Sequence, residues 1–227
     1  NEEFIIDRFD VFPSAYLTKQ LNKTQQVQLS YSRRIDRPRG RQLDPFKDYS
    51  NPRRIRMGNP HLNPEYVDSY ELNFQKQFNK SFVAIESYYR RTNNIITRYE
   101  TPVDSVTMLT TYENLNHDNS IGLELNLNLN VAKWWRLNAS GTGYYYQLLG
   151  ELEGKSINNE TFTYRFRVNS MFTFMKNTKV QINAFYRGPS ISAQGSRKAF
   201  IFSNLAVRQD FLKTKLSLTA QIRDVFG

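Results

Sequence analysis

Apolar and polar residues alternate along most of this chain with a period of two. The clearest stretch places Ile121, Leu123, Leu125, Leu127, Leu129 and Val131 between Gly122, Glu124, Asn126, Asn128 and Asn130. A helix would spread those aliphatics around its circumference, whereas a strand gathers them on one face. The same alternation recurs with Val27, Leu29 and Tyr31, with Tyr70, Leu72 and Phe74, and with Val83, Ile85 and Tyr89. It returns in Leu137 to Tyr145, Phe162 to Phe174, Val180 to Tyr186 and Leu216 to Ile222, and more weakly in 12–21 and 199–211. The pattern predicts about ten long strands and no helix.

The connections between these strands fall into two classes that take turns. Short polar turns are expected at Asn22-Lys23-Thr24, Asn79-Lys80, Ala132-Lys133, Lys176-Asn177-Thr178 and Lys213-Thr214. Long loops are expected at 34–66, about 101–105, 148–160 and 188–198. Short turns at one end and long loops at the other are the plan of an outer-membrane barrel, and a Greek-key sandwich does not sort its connections this way. The pattern runs for some twenty residues in 82–101 and 106–131, against roughly 9 to 11 needed to cross a bilayer, so these strands should project on the loop side. Phe78, Phe82, Trp134, Trp135 and Phe211 flank the short turns, as an aromatic girdle would. The fold class expected is therefore all-β, a transmembrane antiparallel up-and-down barrel.

Composition then ceases to mislead. The 227 residues are 39% hydrophobic and 14% aromatic, with mean hydropathy −0.63. That average hides an apolar face and a polar face. No apolar run approaches the roughly 20 residues of a membrane helix. With no Cys, disulfide scaffolds and thiolate chemistry are excluded. If the short turns are periplasmic, the first strand descends and the last one rises, so both chain ends lie outside. Barrels begin and end in the periplasm, so the expectation is that residues 1–227 are part of a larger barrel, with no plug domain in the chain.

Candidate chemistry is sparse. His61 and His117 have no second ligand at metal spacing, and no G-x-S-x-G nucleophile motif is present, so neither an enzyme nor a metal or other cofactor is expected. The formal charge of +10 includes Arg33, Arg34, Arg37, Arg39, Arg41, Arg53, Arg54 and Arg56 in or beside the 34–66 loop. At the surface of a membrane barrel, their expected partners are lipopolysaccharide phosphates or an anionic ligand rather than nucleic acid. Glu71, Glu86, Arg90, Glu124, Arg165, Arg167, Arg187 and Arg223 fall on the polar faces of their strands, where a lumen would be.

One set of motifs is more specific. The order Ser30-Tyr31-Ser32-Arg33-Arg34-Ile35-Asp36-Arg37-Pro38, then Leu43-Asp44-Pro45-Phe46, then Gly58-Asn59-Pro60-His61-Leu62-Asn63-Pro64-Glu65, then Ser69-Tyr70-Glu71-Leu72 resembles the outer-membrane barrel region of TonB-dependent receptor-like proteins of the Bacteroidetes. Tyr112-Glu113-Asn114-Leu115, Gly122-Leu123-Glu124 and the terminal Arg223-Asp224-Val225-Phe226-Gly227 also fit. The resemblance implies a barrel of about 22 strands, a plug domain, TonB as energising partner, and uptake of a scarce ligand whose identity the motifs leave open. A barrel acting only as a surface assembly or adhesion scaffold is the alternative.

Overall fold

Alternation becomes pairing in the structure, a computed structural model that describes residues 9–175, 177–212 and 215–225. Ten strands lie side by side, each antiparallel to the next: β1 (Ser14–Asn22), β2 (Gln25–Asp36), β4 (Glu65–Phe78), β5 (Ser81–Pro102), β6 (Met108–Ala132), β7 (Trp135–Leu152), β8 (Lys155–Phe174), β9 (Thr178–Arg187), β12 (Phe200–Phe211) and β13 (Leu216–Arg223). Three short strands lie off this path. These are β3 (Arg54–Arg56), which pairs parallel to β6, and β10 (Ser190–Ser192) with β11 (Gly195–Arg197), which form a separate hairpin. Among the described residues the one α-helical turn is α1 (Gly40–Leu43). Up-and-down order and the count of ten long strands agree with the alternation. β1 and β13 are the two edges of the described sheet.

Register carries the two faces across the whole sheet. Leu125 pairs with Ile85 and Gly141, Ile85 with Phe74, and Gly141 with Phe166. One residue along, Glu124 pairs with Glu86 and Thr142, and Thr142 with Arg165. Among the described residues no second layer covers either face of the sheet. The chain exposes 16014 Å², where a compact protein of 26.8 kDa would expose about 11,000 Å². Leu17, Leu29, Leu72, Ile121, Leu123, Phe162, Phe166 and Ile222 are all exposed. A bare aliphatic face of that extent needs an apolar solvent.

Turn chemistry matches the short end. The Asn22 side-chain oxygen accepts from the Thr24 amide at 3.0 Å, and Asn79 takes a positive φ of 51°. The expected turns at Lys176 and at Lys213-Thr214, and the terminal Phe226-Gly227, fall outside the described residues in whole or part. At this same end Trp134, Trp135, Phe172 and Phe174 stack with ring centroids 5.8 to 6.4 Å apart. Trp135 Nε1 also donates to Ser170 Oγ at 2.9 Å. Phe78 and Phe211 lie on the apolar face by register. Phe82 does not: it pairs with Asn128 and sits on the polar face, opposite in parity to Val83.

The loop end departs from expectation in three places. Residues 148–160 form no long loop. β7 runs to Leu152, β8 starts at Lys155, and Glu153 and Gly154, with φ of 50° and 74°, make the tight turn between them. Once a strand leaves the membrane it no longer needs an apolar face, so its alternation fades while its backbone pairing continues. The 188–198 segment likewise folds into the β10–β11 hairpin. The 34–66 segment narrows to 37–64, because β2 and β4 pair out to Asp36 and Glu65.

Among the described residues, the buried apolar cluster lies at this projecting end. Leu115, Leu148, Leu152 and Ile157 are each under 9% exposed, with Ile95, Tyr99, Tyr146 and Ala193 packed against them. Pairing of β6 with β7 stops at His117 and Leu149, while β5 and β6 stay paired to Pro102 and Met108. Asn94, at φ 57°, sits where this hairpin departs. The β5–β6 tip thus folds over the β7–β8 tip and buries leucines that no lipid could cover.

Candidate functional site

The polar face of β4 to β9 holds most of the charged side chains read from the sequence. Glu86, Tyr88, Arg90, Thr92, Asp118, Ser120, Glu124, Thr142, Tyr144, Tyr146 and Arg165 line a concavity of about 350 Å³ there. Glu86 and Glu124 stand directly opposite each other, and Asn73 donates to Glu86 at 3.2 Å while Asn126 donates to Glu124 at 2.8 Å. Ser30 donates to Glu71 at 3.3 Å. Arg90 donates from Nε to Ser69 Oγ at 3.2 Å and lies over the Tyr88 ring at 5.4 Å.

Charge is divided across this face. Arg165 pairs by register with Thr142 on one side and Arg187 on the other. Two like charges directly opposite on neighbouring strands are unfavourable unless something neutralises them. Arg187 Nε is buried without a hydrogen-bond partner among the described residues. Arg167 lies over Phe185 at 5.6 Å, and Arg223 pairs by register with Asn204. Glu71, Glu86, Asp118 and Glu124 thus gather on β4 to β6 with Arg90 among them, and Arg165, Arg167 and Arg187 lie on β8 and β9. Asp118, Tyr144 and Tyr146 were not among the residues singled out from the sequence, although their parity in β6 and β7 puts them on the polar face. Tyr146 donates to Asp118 at 2.9 Å.

The arginine-rich loop is stitched onto the projecting part of β6 rather than left free. β3 pairs there, Asn59 Nδ2 donates to the Tyr112 carbonyl at 3.1 Å, and Asn114 exchanges bonds with Asn63 while also donating to the Asn94 carbonyl. Gly58 fits because an added Cβ would lie 2.6 Å from the Asp44 nitrogen and the Gln42 oxygen. Together they wall a pocket of about 430 Å³ lined by Arg41, Asp44, Phe46, Asp48, Arg56, Met57, Arg98, Thr110 and Tyr112. The backbone amide of Ser50 holds the Asp48 carboxyl below its ordinary pKa, with help from Arg56 and Arg41.

The other arginines scatter. Arg33 is 3.9 Å from Asp68 and 5.3 Å over Tyr66, and Arg54 is 3.9 Å from Glu100, which Arg98 also approaches at 3.3 Å. Arg34, Arg37, Arg39 and Arg53 are solvent-exposed. Eight arginines that are neighbours in sequence thus divide between two strands, a pocket wall and open surface. Arg98, Glu100 and Tyr112 reach the same platform from distant sequence, which no local motif announces.

Two other links complete this platform. Gln194, in the β10–β11 turn, donates to the Glu100 carbonyl and accepts from its amide, at 2.8 and 2.7 Å. Glu65, the first residue of β4, accepts from the Ile96 amide within β5 at 2.6 Å, and burial pushes its carboxyl up in pKa.

An open sheet with one bare aliphatic face, one charged face, short turns at one end and a folded platform at the other is a wall segment of a large transmembrane β-barrel. The chain belongs to the outer membrane protein beta-barrel family, whose model matches residues 1–227. It is therefore an outer-membrane protein. No curated protein matches it in sequence. Its fold is similar to that of the siderophore receptor PirA from Pseudomonas aeruginosa, with a TM-score of 0.68 at 14% identity over 95% of this chain and 38% of that one. The ferric enterobactin receptor PfeA of the same organism gives 0.62 at 17% identity, over 95% and 35% of the two chains. Its ferripyoverdine receptor gives 0.61 at 16%, over 95% and 29%. The chain thus spans between 29% and 38% of those receptors.

Proposed function

We propose that this chain is part of the barrel wall of a TonB-dependent outer-membrane receptor that takes up a scarce ligand. The observation that carries this reading is the superposition of 95% of the chain on the barrels of three receptors named for ferric or siderophore ligands. The divided polar face supports it. Glu86 and Glu124 on one side, and Arg165, Arg167 and Arg187 on the other, offer both signs of charge to a plug domain or a passing ligand. The exposed loop arginines lie where lipopolysaccharide phosphates or an anionic ligand would be met first.

A genetic test needs no knowledge of the ligand. Deleting the gene should slow growth only when one nutrient is limiting, and should add no further defect in cells already lacking TonB. A defect in surface assembly or adhesion that persists equally without TonB would overturn the reading in favour of a scaffold.

A further inference from the structure

The apolar face changes character in three successive rows of the register. The inner row is Leu29, Leu72, Ser87, Leu123, Gly143 and Tyr164, and the next is Tyr31, Tyr70, Tyr89, Ile121, Tyr145 and Phe162. The third, one step nearer the platform, is Arg33, Asp68, Arg91, Asn119, Gln147 and Glu160. Three tyrosine hydroxyls of the middle row point into the third. Tyr31 donates to Asp68 at 2.8 Å, Tyr89 to Asn119 at 3.0 Å, and Tyr145 to Glu160. Rings in hydrocarbon with hydroxyls in a polar layer mark a membrane interface.

Just inside that line the aliphatic surface is indented. Tyr70, Leu72, Tyr89, Leu123, Tyr145 and Phe162 surround a groove of about 560 Å³, open where Ser87 and Gly143 provide little or no side chain. Arg33 and Arg91 stand at its platform-side mouth, two strand spacings or roughly 9.5 Å apart. Arg91 is exposed, and no carboxylate lies within 4 Å of its guanidinium among the described residues. Asp68 stands between the two arginines and is 3.9 Å from Arg33, so it offsets one of the two charges. Asp68 already accepts the Tyr31 hydroxyl.

We infer that this groove seats an acyl chain of a phosphorylated outer-leaflet glycolipid, the lipid A part of lipopolysaccharide, with a phosphate held by Arg91 and Arg33. Arg91 donates from Nε to Asn93 Oδ1 at 3.1 Å but has no carboxylate to neutralise it among the described residues. Such a cation above an apolar groove, at the depth where headgroups lie, complements a phosphate joined to an acyl chain. Guanidinium is the side chain best suited to hold it, through paired N–H donors.

The test uses the full-length protein in detergent, with bisphosphorylated lipid A as the probe and native mass spectrometry as the readout. The protein should retain lipid A through delipidation. The R33Q/R91Q double variant should bind it about tenfold more weakly, as for loss of one net charge-assisted contact. Gly143→Leu should weaken it comparably by filling the groove, since a Cβ there sits 3.4 Å from Phe162 and the fold can accept it. Heat-modifiability on a gel checks that both variants remain folded barrels. Undiminished lipid A binding in either folded variant would overturn the assignment. So would equal binding of phosphatidylglycerol, or of lipid A stripped of its phosphates.

Discussion

A single arginine placed on either face of β6 separates the two faces energetically. Leu125 is 39% exposed and pairs with Ile85 and Gly141 on the apolar face. It lies four residues inward of Ile121, which belongs to the interfacial row. At about 3.3 Å per residue and a tilt near 40°, that is about 10 Å below the interface. A band about 25 Å tall puts Leu125 close to its midplane. Leu125→Arg should therefore cost about 2 to 4 kcal/mol. Asn126→Arg adds the same charge one residue away, on the polar face, beside the Glu124 carboxylate that Asn126 now contacts at 2.8 Å. It should cost less than about 1 kcal/mol, since lumen substitutions avoid the lipid penalty. The measurement is reversible denaturant unfolding of the full-length protein in lipid vesicles, followed by tryptophan fluorescence. Equal losses for the two variants, or a larger loss for Asn126→Arg, would refute the assignment of faces.

Leu115→Ala, at a site 1% exposed, should cost about 2 to 5 kcal/mol within the platform. Hydrogen exchange should accelerate in 94–116 and 148–160 and stay unchanged in the membrane-spanning parts of β5 to β8; a uniform acceleration would contradict a separate outer core. Gly58→Ala should spring the 37–64 loop from β6, because its Cβ has no room, and make that loop a new site of protease cleavage in intact cells. The β5–β6 tip should loosen in acid. The backbone amide of Val106 and the side chain of Thr107 hold the Asp104 carboxyl below its ordinary value of 3.8. A lowered pKa stabilises the turn fully above that ordinary value, and the stabilisation disappears as pH falls through the lowered one. Amide exchange at Val106 and Thr107 should show this, and Asp104→Ala should flatten the pH dependence.

Much of this protein was legible in period two alone. Strand count, up-and-down order and the two faces all follow from alternation, because a barrel strand meets lipid on one side and water on the other. Every residue between the interfaces must answer that local demand, so the sequence records it locally. Glu86, Glu124, Arg165 and Arg187 could thus be put on the polar face without coordinates. Their arrangement along one register row, acids on one side and arginines on the other, could not. Beyond the interface the demand disappears, and with it the signal. Asn158, Asn159 and Glu160 read as loop although they lie in β8, and Leu115 and Leu148 gave no hint that they meet. Phe82 was assigned to the girdle by its neighbourhood, and pairing with Asn128 turned it to the other face. Sequence by itself determined a wall between two solvents. Tertiary structure decided how strands and loops distant in sequence close over one another above it, since those contacts depend on register and packing rather than on the medium each residue faces.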